Sequence, residues 1–226
     1  LKKIWEEELE KRHARTDMYQ CLRNAAVQFR HKENADAYLL AGYPCFNVRA
    51  RDEFISMVGC TLGIDDKEAF ETLAESAINE FVDYVETGKT KVIQELDSPD
   101  ALLWFVWALQ QYYYTVDPMQ MQKDLLMSAV DIVDYIMQGK HPNLKLDDNG
   151  LVRIDGNSVP MTWMNATEDG KPITPRTGYV VEINALWYNA LRFAAMLVES
   201  PAWEEMAAKT AESFVNTFWN GLYLYD

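Results

Sequence analysis

An adjacent arginine and aspartate, Arg51 and Asp52, lie where an aromatic loop passes into a predicted helix. The segment 41–56 reads AGYPCFNVRARDEFIS, in which Tyr43 and Phe46 offer apolar faces. A guanidinium and a carboxylate can each bond a different hydroxyl of a sugar while an aromatic face packs against its ring. An ion pair that caps the helix accounts for the same two residues. The pair therefore predicts either a sugar site or a structural ion pair.

A second polar and aromatic stretch, residues 160–192, reads PMTWMNATEDGKPITPRTGYVVEINALWYNALR and passes through prolines into a helix. Side chains three or four positions apart lie on one face of a helix, so Asn184 and Trp187 are predicted to line one pocket. Glu182 then lies at the N-terminal lip of that pocket. Ordinary core packing accounts for Trp187 as well. This helix is predicted to carry either a ligand site or only a part of the core.

Other short motifs give no metal or phosphate site. Gly88-Lys89-Thr90 lacks the glycine that a phosphate-binding loop carries five positions earlier, and it is predicted to end a helix. Residues 147–156 lack the ligands of a calcium loop and are predicted to form a hairpin turn. His13, His31 and His141 have no metal-binding spacing. We therefore expect neither a metal nor a cofactor.

Four blocks of sequence, in order, resemble the C-terminal, amylo-α-1,6-glucosidase domain of glycogen debranching enzymes. They are AGYPCFNVRARDEFIS, DSPDALLWFVWAL at 97–109, TWMNA at 162–166 with TPRTGYVVEINALWYNAL at 174–191, and FWNGLYLYD at 218–226. The third block is long and unusual in composition, which argues against chance similarity. The resemblance implies a toroid of six α-helical hairpins around a glucose pocket, and hydrolysis of α-1,6-linked glucose with inversion.

The resemblance carries over residue by residue. Arg51 and Asp52 match the family's Arg-Asp pair, which in similar toroidal glucosidases binds hydroxyls of the non-reducing glucose. Glu182 matches the glutamate of E-I-N-A-L-W-Y-N, and Trp163 matches the tryptophan of W-M-D-A. Together with the local chemistry this gives the candidate substrate-binding residues Tyr43, Arg51, Asp52, Trp163, Glu182, Asn184 and Trp187.

Three positions depart from the family pattern. Cys45 and Ala50 replace an aromatic residue and a glycine, and Asn165 stands where W-M-D-A carries the aspartate that the resemblance implies as general acid. An inverting glycosidase needs an acid for the departing oxygen and a carboxylate about 6.5–9.5 Å away that activates water. An amide binds the oxygen without protonating it, and positioned proton transfer is worth about a hundred- to ten-thousandfold in rate. Either Glu168 or Asp169 is the acid, or the chain is weak or inactive.

Three functions are compatible with these residues. The first is a debranching-type glycoside hydrolase acting on glycogen, starch or malto-oligosaccharide. The second is a non-catalytic glucan-binding module that kept the sugar pocket and lost the acid, which Asn165 favours. The third is a different toroidal glycosidase acting on another disaccharide.

Helices are predicted to position these loops. A capping box at Asp65 and a stop at Gly88 bound one helix, and a capping side chain followed by proline opens three more. The predicted ranges are 65–88, 99–115, 118–138 and about 201–219, with one or two helices in 3–31, one in 52–62 and one in 182–198. Asn149-Gly150 predicts a β-hairpin over 144–155. The chain is predicted to be all-α with a hairpin on one rim, where segments 41–52 and 160–184 also lie.

The composition predicts a single domain spanning residues 1–226. Of the 226 residues, 49% are hydrophobic, which is enough for a sizeable core. The net charge of −14 disfavours nucleic acid and anionic membranes as partners, and no apolar run approaches the ~20 residues that span a bilayer. Three cysteines without metal spacing indicate a reducing compartment. We expect a soluble, cytoplasmic protein.

The resemblance also implies more chain than this sequence provides. Seven or eight helices form only part of a six-hairpin toroid, and the family's general base lies beyond the point that corresponds to Asp226. We therefore expect a fragment of a longer protein, whose remaining helices lie on another segment or on a partner. By itself the chain is expected to be weak or inactive.

Overall fold

A computed structural model describes residues 2–10, 12, 14 and 16–225, and this part of the chain is mostly helical. The described helices are α1 (Lys2–Glu10), α2 (Met18–Gln28), α3 (Ala50–Cys60), α4 (Lys67–Thr87), α5 (Ala101–Thr115), α6 (Lys123–Met137), α7 (Val181–Val198) and α8 (Pro201–Phe218). The strands are β1 (Arg30–Glu33), β2 (Asp36–Leu39), β3 (Lys145–Leu146), β4 (Val152–Asp155), β5 (Thr167–Glu168), β6 (Lys171–Pro172) and β7 (Thr177–Tyr179). The all-α prediction is confirmed.

Helix α5 lies at the centre of the core, against α3, α6 and α7. Phe54 of α3 packs on Phe105 of α5 with ring centroids 4.8 Å apart, and both side chains are buried. Burial of one such side chain contributes about 1.5–3 kcal/mol. This contact holds α3, and with it the loop that precedes α3, against the centre of the molecule. Among the described residues, no helix has both the length and the apolar character needed to cross a lipid bilayer.

Two predicted helix caps, Gly88 and Ser200, are confirmed, and a third is wrong by one residue. The α4 cap is Asp66 instead of Asp65, because the Asp66 carboxylate accepts from the Ala69 N–H at 3.1 Å. Gly88 ends α4 in the left-handed conformation, with φ +71°. Ser200 caps α8.

Two predicted helix starts are wrong. Helix α5 begins at Ala101, after a turn in which its N–H donates to the Ser98 carbonyl at 3.1 Å. Helix α6 begins at Lys123 instead of 118, because the Gln122 N–H donates to the Tyr112 hydroxyl at 2.9 Å. In the second case, a contact with a neighbouring helix determines where the helix begins.

The predicted hairpin around Asn149-Gly150 is confirmed. Strands β3 and β4 pair antiparallel, with Leu146 opposite Val152, and β7 adds to β4 as a third strand. The β1–β2 hairpin, which turns at Asn34 with φ +59°, was not predicted. Neither was the exposed hairpin of β5 and β6.

Candidate functional site: a cleft between the α3 and α5 N-termini

A cleft of about 410 Å³ opens beside the N-termini of α3 and α5. Ligand pockets typically measure about 300–1,000 Å³, so this cleft is large enough for a small ligand. The first sequence block contributes Arg51 to its wall, and the third contributes Asn165. The full lining is Arg49, Arg51, Glu95, Asp97, Ser98, Pro99, Asn143, Val159, Pro160, Met161, Thr162 and Asn165.

Arg51 is held by Asp100, at the N-terminus of α5. Its Nε donates to Asp100 Oδ2 at 2.6 Å, and its Nη2 donates to Asp100 Oδ1 at 2.8 Å. Nη2 also lies 3.3 Å from the Met161 carbonyl, so the guanidinium connects α3 with the N-terminus of α5 and with the loop that contains Met161. Burial lowers the pKa of Arg51, but the hydrogen bond and charge of Asp100 outweigh it and raise that pKa above its ordinary value. A fixed, ionised guanidinium therefore lies in the wall of the cleft.

Asp52 forms no salt bridge with Arg51, whose partner is Asp100. Adjacent positions on a helix project about 100° apart, so the two side chains point to different sides of α3. Asp52 is exposed and does not line the cleft. Arg51 is therefore part of a structural ion pair, but its partner is Asp100 and not Asp52.

A short segment after α4 forms one wall of the cleft and is pinned to the loop before α3. The Ala50 N–H donates to the Gln94 carbonyl, and the Gln94 N–H donates to the Val48 carbonyl, both at 3.0 Å. Glu95 follows with φ +60°, a left-handed backbone that is uncommon for glutamate. Its carboxylate lies 3.9 Å from Arg49 Nη1, a loose ion pair with both side chains partly exposed. Glu95 is therefore held at the cleft near two arginines, Arg49 and Arg51, whose charges partly offset its own.

A second carboxylate, Asp97, lines the same wall. The Asn143 amide donates to the Asp97 carbonyl at 2.8 Å and lies 3.3 Å from Asp97 Oδ2. Sequence reasoning missed Arg49, Glu95 and Asn143. Arg49 lies in the first sequence block but was not singled out, whereas Glu95 and Asn143 lie outside all four blocks. Asp97 could have been found, since it opens the second sequence block.

Trp163, in the loop before β5, contacts Glu182 in the first turn of α7. The Trp163 Nε1–H donates to Glu182 Oε1 at 3.2 Å. Both terminal nitrogens of Arg176 also donate to Glu182, with Nη2 at 2.9 Å from Oε2. The Trp163 ring is 58% exposed, so it presents an open aromatic face two residues before Asn165. The Glu182 carboxylate is a fixed acceptor that orients Trp163.

The three residues predicted as acid or acid substitute lie in different places. Asn165 is exposed and lines the cleft. Glu168 belongs to β5, and Asp169 turns the chain into β6 with φ +49°, so both lie in an exposed hairpin. Neither of these two side chains lines the cleft.

Asn184 and Trp187 are buried and do not line a pocket as predicted. The Asn184 amide bonds both the N–H and the carbonyl of Val152, at 2.8 and 2.9 Å. The Trp187 Nε1–H donates to the Gly150 carbonyl at 3.1 Å. These two side chains satisfy the backbone of the β3–β4 hairpin inside the core, so core packing is the correct interpretation.

Tyr43, the remaining candidate, is absent from the cleft wall. Its hydroxyl donates to the Gln28 carbonyl, and its ring centroid lies 5.7 Å from that of Phe29. His13, weighed above as a metal ligand, lies outside the described residues. Within the described part of the chain, no group of three or more His, Cys, Asp or Glu side chains could hold a metal ion.

The loops at the N-termini of α3 and α5 form a cleft in which polar side chains border an apolar wall of Pro99, Val159 and Met161. A family model described as amylo-alpha-1,6-glucosidase matches residues 23–226, and the chain belongs to this family. The family relates the protein to the glycoside hydrolases of glycogen debranching. Among curated proteins, none matches the chain.

Proposed function

We propose that the protein binds α-1,6-linked glucose at the end of a glucan in the cleft beside Arg51. One observation carries the proposal: Arg51 and Asn165, from two separate family blocks, line the same cleft. The Arg51–Met161 hydrogen bond joins residues 110 positions apart, so the folded chain alone brings these blocks together. The family match supplies the chemical class of the ligand.

The side chains of the cleft suit one sugar ring. Arg51 Nη1 has no partner within the described chain and is the free donor for a ring hydroxyl. Glu95 and Asp97 are acceptors for neighbouring hydroxyls, and Met161 and Pro99 give the ring an apolar surface. A charge-assisted hydrogen bond contributes about 1.5–3 kcal/mol, so Arg51 is a principal source of affinity.

The reaction that we propose is hydrolysis of the α-1,6 bond with inversion. Water attacks the anomeric carbon while a carboxylate accepts its proton, and an acid protonates the departing oxygen. Asn165 occupies the acid's position in this scheme and binds the glycosidic oxygen as a hydrogen-bond donor. Without proton donation from Glu168, Asp169 or another acid, the reaction is slow.

We further propose the setting in which this chemistry takes place. The helices are part of a six-hairpin α/α toroid, and the partner is glycogen, starch or a malto-oligosaccharide. A cytoplasmic location agrees with Cys21, Cys45 and Cys60, which are all free thiols.

A second candidate function is a glucan-binding module without catalysis. The amide of Asn165 lies in the cleft, whereas Glu168 and Asp169 lie in a separate exposed hairpin. A site that binds the glycosidic oxygen without an acid nearby retains affinity and loses turnover.

Glucose release from panose, a trisaccharide with one α-1,6 bond, tests the proposal. Wild type, Asn165→Asp and Asn165→Ala are compared, with Asn216→Ala on exposed α8 as the control. If a base faces the bond, Asn165→Asp should raise the rate by about a hundredfold or more, and NMR should detect the β-anomer first. Panose binding with no glucose release from any variant supports the module. The absence of panose binding refutes both functions.

A further inference from the structure

The segment between α6 and β3, residues 138–144, is held by the ring of a buried histidine, His141. Its Nδ1 accepts the backbone N–H of Asn143 at 3.2 Å and the backbone N–H of Leu144 at 3.1 Å. The His141 side chain is 3% exposed, and Leu144 is 1% exposed. One buried ring nitrogen therefore fixes two consecutive peptide groups.

The protonation state of the His141 ring follows from these two bonds. An imidazole nitrogen that accepts a hydrogen bond carries no proton, so the proton of the neutral ring lies on Nε2. This Nε2 is buried and has no hydrogen-bond partner among the described residues. Burial lowers the pKa of His141 to about 4, so the ring is uncharged at neutral pH and Nδ1 remains an acceptor.

The ring replaces the backbone partners that a helix or strand would supply. Asn143 and Leu144 follow the end of α6 at Met137 and precede β3, which begins at Lys145. Buried backbone N–H groups need an acceptor, and outside regular structure a side chain has to provide it. His141 provides it for both residues, and its ring also packs edge-on against Tyr135, with the ring centroids 6.1 Å apart.

Asn143 extends this support to the cleft. Its side chain lines the cleft beside Arg51, and its Nδ2 donates to the Asp97 carbonyl at 2.8 Å and lies 3.3 Å from Asp97 Oδ2. The Asn143 Oδ1 has no partner among the described residues and is an acceptor for a ligand hydroxyl. A series of hydrogen bonds thus runs from the buried ring of His141 through Asn143 to Asp97.

We propose that His141 is a positioning residue, which holds Asn143 and through it Asp97 in the wall of the cleft. The inference rests on the proposed function, because it takes the cleft as the sugar site. His141 is buried and does not line the cleft, so it acts on the ligand only through Asn143. Prior ordering of these polar groups lowers the cost of binding.

Calorimetric titration with the disaccharide isomaltose tests this role. His141→Leu removes the acceptor, whereas His141→Asn keeps one, because asparagine Oδ1 lies as many bonds from the backbone as histidine Nδ1. Asn143→Ala and the double variant of His141→Leu with Asn143→Ala complete a cycle. The control is Ser76→Ala on α4, because the buried Ser76 hydroxyl accepts the Ala37 N–H at 3.0 Å and does not line the cleft.

His141→Leu should weaken isomaltose binding by about fivefold, the factor that one ordinary hydrogen bond contributes. His141→Asn should stay within about twofold of wild type because it retains the acceptor, and Ser76→Ala should leave the affinity unchanged. When Asn143 is already alanine, His141→Leu should have no further effect on affinity, since its action passes through the asparagine side chain.

Three results would refute the positioning role and leave the proposed function standing. They are an unchanged affinity in His141→Leu, equal losses in His141→Leu and His141→Asn, and a His141→Leu loss that persists in full in the double variant. Should His141→Leu not fold, His141→Phe takes its place with the same expected results, because it keeps a ring and removes the acceptor.

NMR of the Asn143 side-chain amide separates this inference from the proposed function. Its signal should move in His141→Leu and return toward the wild-type position in His141→Asn, with no sugar present. If isomaltose does not bind wild type, the proposed function fails, and this signal alone decides the positioning role. A signal that stays fixed in His141→Leu would show that the ring does not position Asn143.

Discussion

The hydrogen-bonded pair of Arg51 and Asp100 gives the sharpest stability prediction. The side chains of Arg51 and Asp100 are only 12% and 3% exposed, and two bonds of 2.6 and 2.8 Å join them. Removal of one partner from a buried pair leaves an uncompensated charge and costs about 3–5 kcal/mol. Asp100→Ala should therefore lower the free energy of unfolding by about that amount. Arg192 and Glu204, which are 51% and 46% exposed, form the matched surface pair, and Glu204→Ala should cost at most about 1 kcal/mol.

Urea denaturation of the single and double variants gives the coupling energy. Arg51→Met combined with Asp100→Leu should be less destabilised than the sum of the two single variants by about 2–3 kcal/mol, because no charge is left unpaired. Asp100→Ala should also weaken isomaltose binding, since Arg51 loses the carboxylate that orients it. A coupling below about 0.5 kcal/mol, similar to that of the surface pair, would refute the buried clamp.

Three further predictions concern pH and backbone space. Burial lowers the pKa of His141 to about 4 from 6.5. The free energy of unfolding should therefore fall by about 3 kcal/mol as the pH falls from 6.5 through 4. Urea titrations at several pH values should show that His141→Asn flattens this change. Burial raises the pKa of Glu53 well above 4.5, so as the pH rises this carboxyl group ionises in the unfolded chain before it does in the folded protein. Glu53→Gln should therefore stabilise the protein above pH 4.5 and leave its stability unchanged at pH 3. Equal effects at the two pH values would contradict this. A Cβ at Gly156 would lie 2.1 Å from the Arg176 carbonyl oxygen, whereas a Cβ at Gly170 would meet open space and only a positive φ. Gly156→Ala should therefore lower the melting temperature far more than Gly170→Ala. Similar losses for the two variants would contradict the contact.

Helix identity was predictable from the sequence, whereas two helix starts were not. Ser200 before proline caps α8 as predicted, because its partner, the Trp203 N–H, lies within the same turn. The start of α6 depends on the Tyr112 hydroxyl, which belongs to another helix. Local chemistry therefore determines a helix end only where no tertiary hydrogen bond competes for the same backbone group.

The cleft could be predicted only in part for the same physical reason. Arg51 was identified by its type and position, but its partner Asp100 lies 49 residues away and was not singled out. Asn184 and Trp187 share a helix face as predicted, yet that face is turned to the β3–β4 hairpin rather than to a ligand. Periodicity gives the relative directions of side chains, whereas the surroundings of each face depend on packing between distant segments.

The central claim, that the Arg51 cleft binds glucose units, is tested most directly by NMR titration of the protein with isomaltose. The side-chain amides of Asn143 and Asn165 line the cleft, whereas the exposed amides of Asn79 and Asn216 lie on α4 and α8 and serve as internal controls. Substitution of each asparagine by alanine assigns its signal. We predict saturable shifts of the Asn143 and Asn165 amides, while those of Asn79 and Asn216 stay fixed. Saturable shifts that leave Asn143 and Asn165 unmoved would place the sugar elsewhere and contradict the claim.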